Sequence, residues 1–139
     1  MSEYRFFHSI EVRYADIDAQ RHVNNANYFT YMEQARVKYV EHLDLWSGQD
    51  FDNFGFILAE QSCSYKSPIT YLQRVRVGVR TARLGRKSFE MDYTFQDEGS
   101  EEELARGRTV LVAYDYRSGE TIPIPANWRQ VLMAYEGLT

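Results

Sequence analysis

From Ala26 onward the apolar side chains fall at helical spacing, and there are too many of them for a helix that rests on a surface. Tyr28, Met32, Ala35, Tyr39 and Leu43 make one stripe, and Phe29, Val37 and Val40 widen it well beyond the usual amphipathic face. About eighteen residues give a helix roughly 27 Å long. A helix apolar over most of its circumference needs a partner that curls around it. Asn24 or Asn25 supplies the residue type that caps such a helix.

The rest of the chain reads as that partner. Residues 9–15 alternate, with Ile10, Val12 and Tyr14 on one face and Ser9, Glu11 and Arg13 on the other, the pattern of a half-buried strand. Residues 48–55 read as a loop, and residues 56–67 as a strand that ends at Ser67-Pro68. Residues 74–83 and 88–95 alternate again, joined at residues 84–87, with odd-numbered apolar positions in both strands. Those positions share a face only if an odd number of residues separates the paired strands. In that register Arg76 and Arg80 lie near Glu90 and Asp92, a cross-strand charge ladder. An acidic turn at 97–103 leads to a strand near 104–116 and a turn at 117–120. A short helix follows, with Pro125 near its first turn and Gly137 past its end.

This order predicts an α+β fold in one domain over residues 1–139, an antiparallel sheet with a long helix laid on it. The sheet's second face mixes Val, Tyr and Phe with Arg and Glu. It is too apolar to leave wholly wet, so a homo-oligomer, dimer or tetramer, is expected to cover part of it.

Composition removes several function classes. A hydrophobic content of 44% with 15% aromatic supports a real core rather than disorder. A formal charge of −4 argues against a dedicated nucleic-acid binder. The N-terminal residues lack the apolar core of a signal peptide, and no apolar run approaches the ~20 residues of a membrane span. Cys63 is the only cysteine, so no intrachain disulfide can form, which fits a reducing cytoplasm. His8, His22 and His42 lack zinc-ligand spacing, and there is no glycine-rich phosphate loop, so no metal or bound cofactor is expected.

The polar chemistry concentrates in YADIDAQRHVNNANYF, residues 14–29, between the first strand and the start of the buried helix. The first amides of a helix have no internal acceptor and carry partial positive charge. They can hydrogen-bond an oxygen on which negative charge develops. A carboxylate held just upstream could attack the adjacent carbon or activate water to do so. That is a generic arrangement for acyl transfer.

The run RYADIDAQRHVNNANYFTYMEQAR, Arg13 to Arg36, resembles the signature of the 4-hydroxybenzoyl-CoA thioesterase family of hotdog-fold proteins. The later TVLVAYDYRSGETIPIP resembles that family's final strand and exit, so the similarity spans about residues 8–130. The resemblance implies an antiparallel sheet wrapped around a long central helix, and hydrolysis of an acyl-CoA to a free acid and coenzyme A. It implies Asp18 as nucleophile or general base and the backbone N–H of Asn25 as the group that polarises the thioester carbonyl. It implies no cofactor beyond the coenzyme A of the substrate. Members with the best-known mechanism carry Pro-Ala-Gly after the aspartate, where this chain has Ala19-Gln20-Arg21 and then His22 and Asn24. It therefore looks like the H-V-N-N branch, and aromatic-acyl specificity is not carried over.

Other residues in the region have bland and functional readings. Asp16 reads as structural, hydrogen-bonding loop amides. His22 could orient water, touch the acyl group or brace the loop. Asn24 is a cap first and a substrate contact second. Tyr28 and Tyr31 are core or pocket wall. Glu33 is a second acid or, preferably, an ion-pair partner. Arg74 and Arg76, in a basic segment with Arg80, Arg83, Arg86 and Lys87, are candidates to receive the coenzyme A phosphates, or else form a solvated face. Cys63 reads as packing. Two other functions compete. A hydratase or dehydratase on the same fold would want an Asp/His or His/Glu pair at a spacing not found here. A non-catalytic acyl-thioester binding module would bind without turnover.

Overall fold

A computed structural model describes residues 3–50, 52 and 55–139 of the chain. The broad apolar stripe forms helix α1, Asn25–His42, with Tyr28, Met32, Ala35, Tyr39 and Val40 buried. Strands β1 (Phe6–Ile10), β2 (Phe56–Tyr65), β3 (Val75–Leu84), β4 (Ser88–Asp97) and β5 (Glu103–Asp115) pair antiparallel in the order β1-β3-β4-β5-β2. The short β6, Glu120–Thr121, pairs with the end of β5. Helix α2, Ala126–Glu136, follows Pro125 and stops at Gly137, whose φ of 70° is the left-handed geometry that glycine adopts freely. Residues 51, 53 and 54 of the expected 48–55 loop lie outside the described residues.

The sheet presents Val75, Val77 and Val79 of β3, Met91, Tyr93 and Phe95 of β4, and Ala105 and Leu111 of β5, all 0% exposed, to the inner core. Burying each large side chain contributes about 1.5–3 kcal/mol. Gly107 of β5 faces the helix, where a Cβ would stand 2.7 Å from Sδ and Cε of Met32.

The odd-numbered apolar residues of β3 and β4 do share a face, through pairs such as Val77↔Phe95 and Val79↔Tyr93. Nearer the turn the pairs are Arg83↔Glu90 and Leu84↔Phe89, with a register shift between Thr81 and Arg83. Ala82 is thus the extra residue, placed in the strand rather than in the turn. The charge ladder is partly as expected. Arg80 pairs with Asp92 at 3.0 Å, but Glu90 pairs with Arg108 of β5 at 2.6 Å. Arg76 hydrogen-bonds Gln96 at 2.8 Å and lies 3.6 Å from Glu101.

The expected strand over 9–15 needs correction. β1 begins at Phe6 and ends at Ile10, and Tyr14 is 80% exposed although Ile10 and Val12 are buried. The Asp16 carboxylate accepts the Arg13 backbone N–H at 3.1 Å and pairs with its guanidinium at 2.8 Å, which winds Tyr14–Asp16 into a single 3₁₀ turn. The outer sheet face is partly covered by the chain itself. Tyr4 and Phe7 lie there, with the Arg76 guanidinium 4.0 Å above the Phe7 ring and that of Arg80 5.2 Å from the Tyr4 ring.

Candidate active site

Beyond the 3₁₀ turn the chain closes a small loop before entering α1. Ile17 and Val23 bridge antiparallel. Between them the Asp18 N–H donates to the His22 carbonyl at 3.0 Å, and the Arg21 N–H donates to the Asp18 carbonyl at 2.9 Å. Arg21 closes this turn with φ 66°, a conformation that costs a non-glycine residue roughly 1–2 kcal/mol.

The loop holds the Asp18 side chain half-buried. Its Oδ1 accepts the Gln20 N–H at 2.9 Å, and its Oδ2 lies 3.4 Å from the Asn24 side-chain amide nitrogen, which donates to it. Asn24, not Asn25, is the helix cap: its Oδ1 accepts the Ala26 N–H at 2.9 Å, and its carbonyl accepts the Asn27 N–H at 2.9 Å. Among the described residues no acceptor takes the Asn25 N–H, the amide at the first position of α1. It carries part of the positive charge of the helix start, and Asn25 and Asp18 border the same space.

That space is a cleft of about 380 Å³. Asp18, Gln20, His22 and Asn25 line it from the loop and helix, and Tyr65, Lys66, Ser67 and Pro68 from the end of β2 and the turn beyond it. Val23 and Tyr28 add buried apolar surface. The Tyr65 hydroxyl donates to the Asn25 carbonyl at 3.3 Å, and its ring meets Tyr28 edge-on at 4.7 Å. Burial pushes the Tyr28 hydroxyl up to about 12 and the Cys63 thiol up to about 11, so both stay protonated at neutral pH. A neutral thiol fits the packing role read for Cys63.

The structure therefore gathers Asp18, His22, Asn25 and Tyr28 around one cleft, with Asn24 bonded to Asp18. It does not bring Arg74 or Arg76 there. Arg76 lies over Phe7 on the outer sheet face, and Arg74 is exposed before β3, its carbonyl accepting the Glu98 N–H. Glu33 is 70% exposed and lies 3.8 Å from Arg36, the ion-pair geometry. Sequence reasoning missed the wall at 65–68. The only local signal was Ser67-Pro68, which marked the end of a strand. What places it is long-range: the N–H groups of Lys66 and Ser67 both donate to the Leu104 carbonyl, and the Val23 N–H donates to that of Ile69. Among the described residues no group of three or more His, Cys, Asp and Glu side chains is placed to hold a metal ion.

A carboxylate beside an open helix amide in a cleft suits attack on a carbonyl whose oxygen becomes negative. The thioesterase-like superfamily profile matches residues 12–132. A Thermus thermophilus thioesterase solved with coenzyme A and zinc is 34% identical, with a TM-score of 0.85 over 99% of this chain and 98% of that one. The PA5185 protein of Pseudomonas aeruginosa is 33% identical, with a TM-score of 0.83 over 95% of this chain and 92% of that one. The long-chain acyl-CoA thioesterase FadM of Escherichia coli is 23% identical over 123 residues, 88% of this chain and 93% of FadM.

Proposed function

The chain belongs to the thioesterase-like superfamily and is a thioester hydrolase with the hotdog fold, and we propose that it cleaves acyl-CoA thioesters with Asp18 as the reacting carboxylate. The observation that carries this reading is that Asp18 and Asn25, whose N–H has no acceptor among the described residues, line one cleft. The thioester oxygen accepts the Asn25 N–H, which draws electron density from the carbonyl carbon. Asp18 then takes a proton from a water whose oxygen adds to that carbon. Alternatively, it adds directly and forms an anhydride that water opens. On either route the C–S bond breaks, the sulfur is protonated, and a free acid and the coenzyme A thiol leave. No cofactor is needed, because a thioester is already activated and the protein supplies orientation and charge stabilisation.

The remaining residues take supporting parts. His22 faces the cleft and contacts the acyl group or the attacking water. Asn24 steadies both Asp18 and the helix start. Tyr28 and Tyr65 form an apolar wall. With Arg74 and Arg76 lying elsewhere, Lys66 is the cation that lines the cleft, and it also pairs with Glu103. It is better placed than either arginine to meet a phosphate of coenzyme A. A homo-oligomer remains part of this reading. β2 lies at the sheet edge with Ile57, Leu58 and Tyr65 at 37%, 40% and 46% exposure, and Leu72 is 86% exposed.

Free-thiol release across straight-chain, branched and aromatic acyl-CoAs, with an acyl carrier protein thioester as a further substrate, tests the proposal. Steady turnover of at least one acyl-CoA class is expected. Saturable binding of acyl-CoAs without thiol release would instead make the chain a binding module.

A further inference from the structure

We propose that Arg13, Asp16 and Tyr31 form a positioning network that sets the orientation of Asp18. The proposal rests on the assignment of Asp18 as the reacting carboxylate. Among the described residues Asp16 is the one acid in the buried set, at 1% exposure. A buried carboxylate is costly unless it is fully bonded. Asp16 meets that condition: Oδ1 accepts Nη2 of Arg13 at 2.8 Å, and Oδ2 accepts the Tyr31 hydroxyl at 2.6 Å, the Arg13 N–H at 3.1 Å and its Nε at 3.3 Å. Burial pulls this carboxyl upward, but the bonds from Arg13 and Tyr31 outweigh it and hold it below the usual carboxylate range. Asp16 is therefore an anion at any ordinary assay pH.

The connection onward to Asp18 is short. The Asp16 carbonyl accepts the Asn24 N–H at 2.9 Å and the Asn27 side-chain amide at 3.2 Å. Asn24 donates in turn to Oδ2 of Asp18 at 3.4 Å. Tyr31, in the second turn of α1, thus fixes the Asp16 carboxylate, and the Asp16 peptide fixes the residue that both caps the helix and holds Asp18. Packing alone at position 16 would be served by an apolar side chain of similar volume. A directional bond between the helix and the loop needs the carboxylate.

The test is a double-mutant cycle between Tyr31→Phe and Asp18→Asn, read as kcat and KM for thiol release, with thermal unfolding to confirm that each variant is folded. Tyr31→Phe is expected to lower kcat about 10-fold, the size of a modest misplacement of a reacting group, with KM within about twofold. In the Asp18→Asn background it should cost nothing further. A general folding defect would act equally in both backgrounds. Wild-type kcat in folded Tyr31→Phe, or the same loss in both backgrounds, overturns the proposal while leaving Asp18 in place. Wild-type kcat in Asp18→Asn overturns the Asp18 assignment and this proposal with it. If Tyr31→Phe does not fold, Arg13→Gln carries the same cycle. Its side chain is 63% exposed, and a loss of about threefold that vanishes without Asp18 is expected; wild-type kcat or an equal loss without Asp18 is again the contrary result.

Discussion

Asp16 and Asp18 stand two positions apart and do different work because they have different partners. The Asp16 carboxylate is buried against Tyr31 and Arg13 at the end of the 3₁₀ turn Tyr14–Asp16, whereas Asp18, beyond the extended Ile17, lines the cleft. That Asp18 is the candidate for chemistry was legible from the motif. That Asp16 bonds a tyrosine fifteen residues on was not, because only the folded path from β1 to α1 brings the two together. The buried anion has a consequence for stability. Its folded-state pKa lies below the ordinary 3.8, so its contribution is complete above that value and is lost as pH falls through the folded one. Asp16→Asn should destabilise the protein by about 1–2 kcal/mol at pH 7, and the gap from wild type should shrink toward zero in strong acid. Denaturant unfolding at a series of pH values measures it, and a gap independent of pH would contradict it.

Helix α1 was the most legible element. Its width predicted the wrapping sheet, its Asn24/Asn25 pair predicted the cap, and the structure assigns the cap to Asn24. That residue serves the element and the site at once, and two substitutions separate the roles. Asn24→Ala should cost about 1 kcal/mol of stability and also lower kcat. Asn24→Asp should keep the cap, and with it the unfolding temperature, yet lose kcat, since it removes the donor to Asp18 and sets a like charge beside it. Equal kcat in Asn24→Asp and wild type would separate Asn24 from the site. The β3–β4 hairpin was legible in part. Parity required an odd residue, but nothing local says that it sits at Ala82 rather than in the turn. The contact of β5 with α1 was not legible at all. Gly107→Ala places a Cβ against Met32 and should cost about 1–3 kcal/mol, read as a lower unfolding midpoint; an unchanged midpoint would show that Met32 moves aside freely.

At the scale of the molecule, strand order is what the linear sequence hides. β2 comes after α1 in the chain but lies at the far edge beside β5. That placement carries residues 65–68 to the loop at 18–25 and completes the cleft. The same placement leaves β2 with an open edge. Light scattering should therefore find an oligomer, and Ile57→Lys should shift it toward monomer; a monomeric wild type would contradict this part of the account. The reacting centre remains the central claim, and the rate of coenzyme A thiol release by folded Asp18→Asn reaches it most directly. The account predicts a fall in kcat of at least about 100-fold with the unfolding midpoint unchanged, and a rate equal to that of the wild type would contradict it.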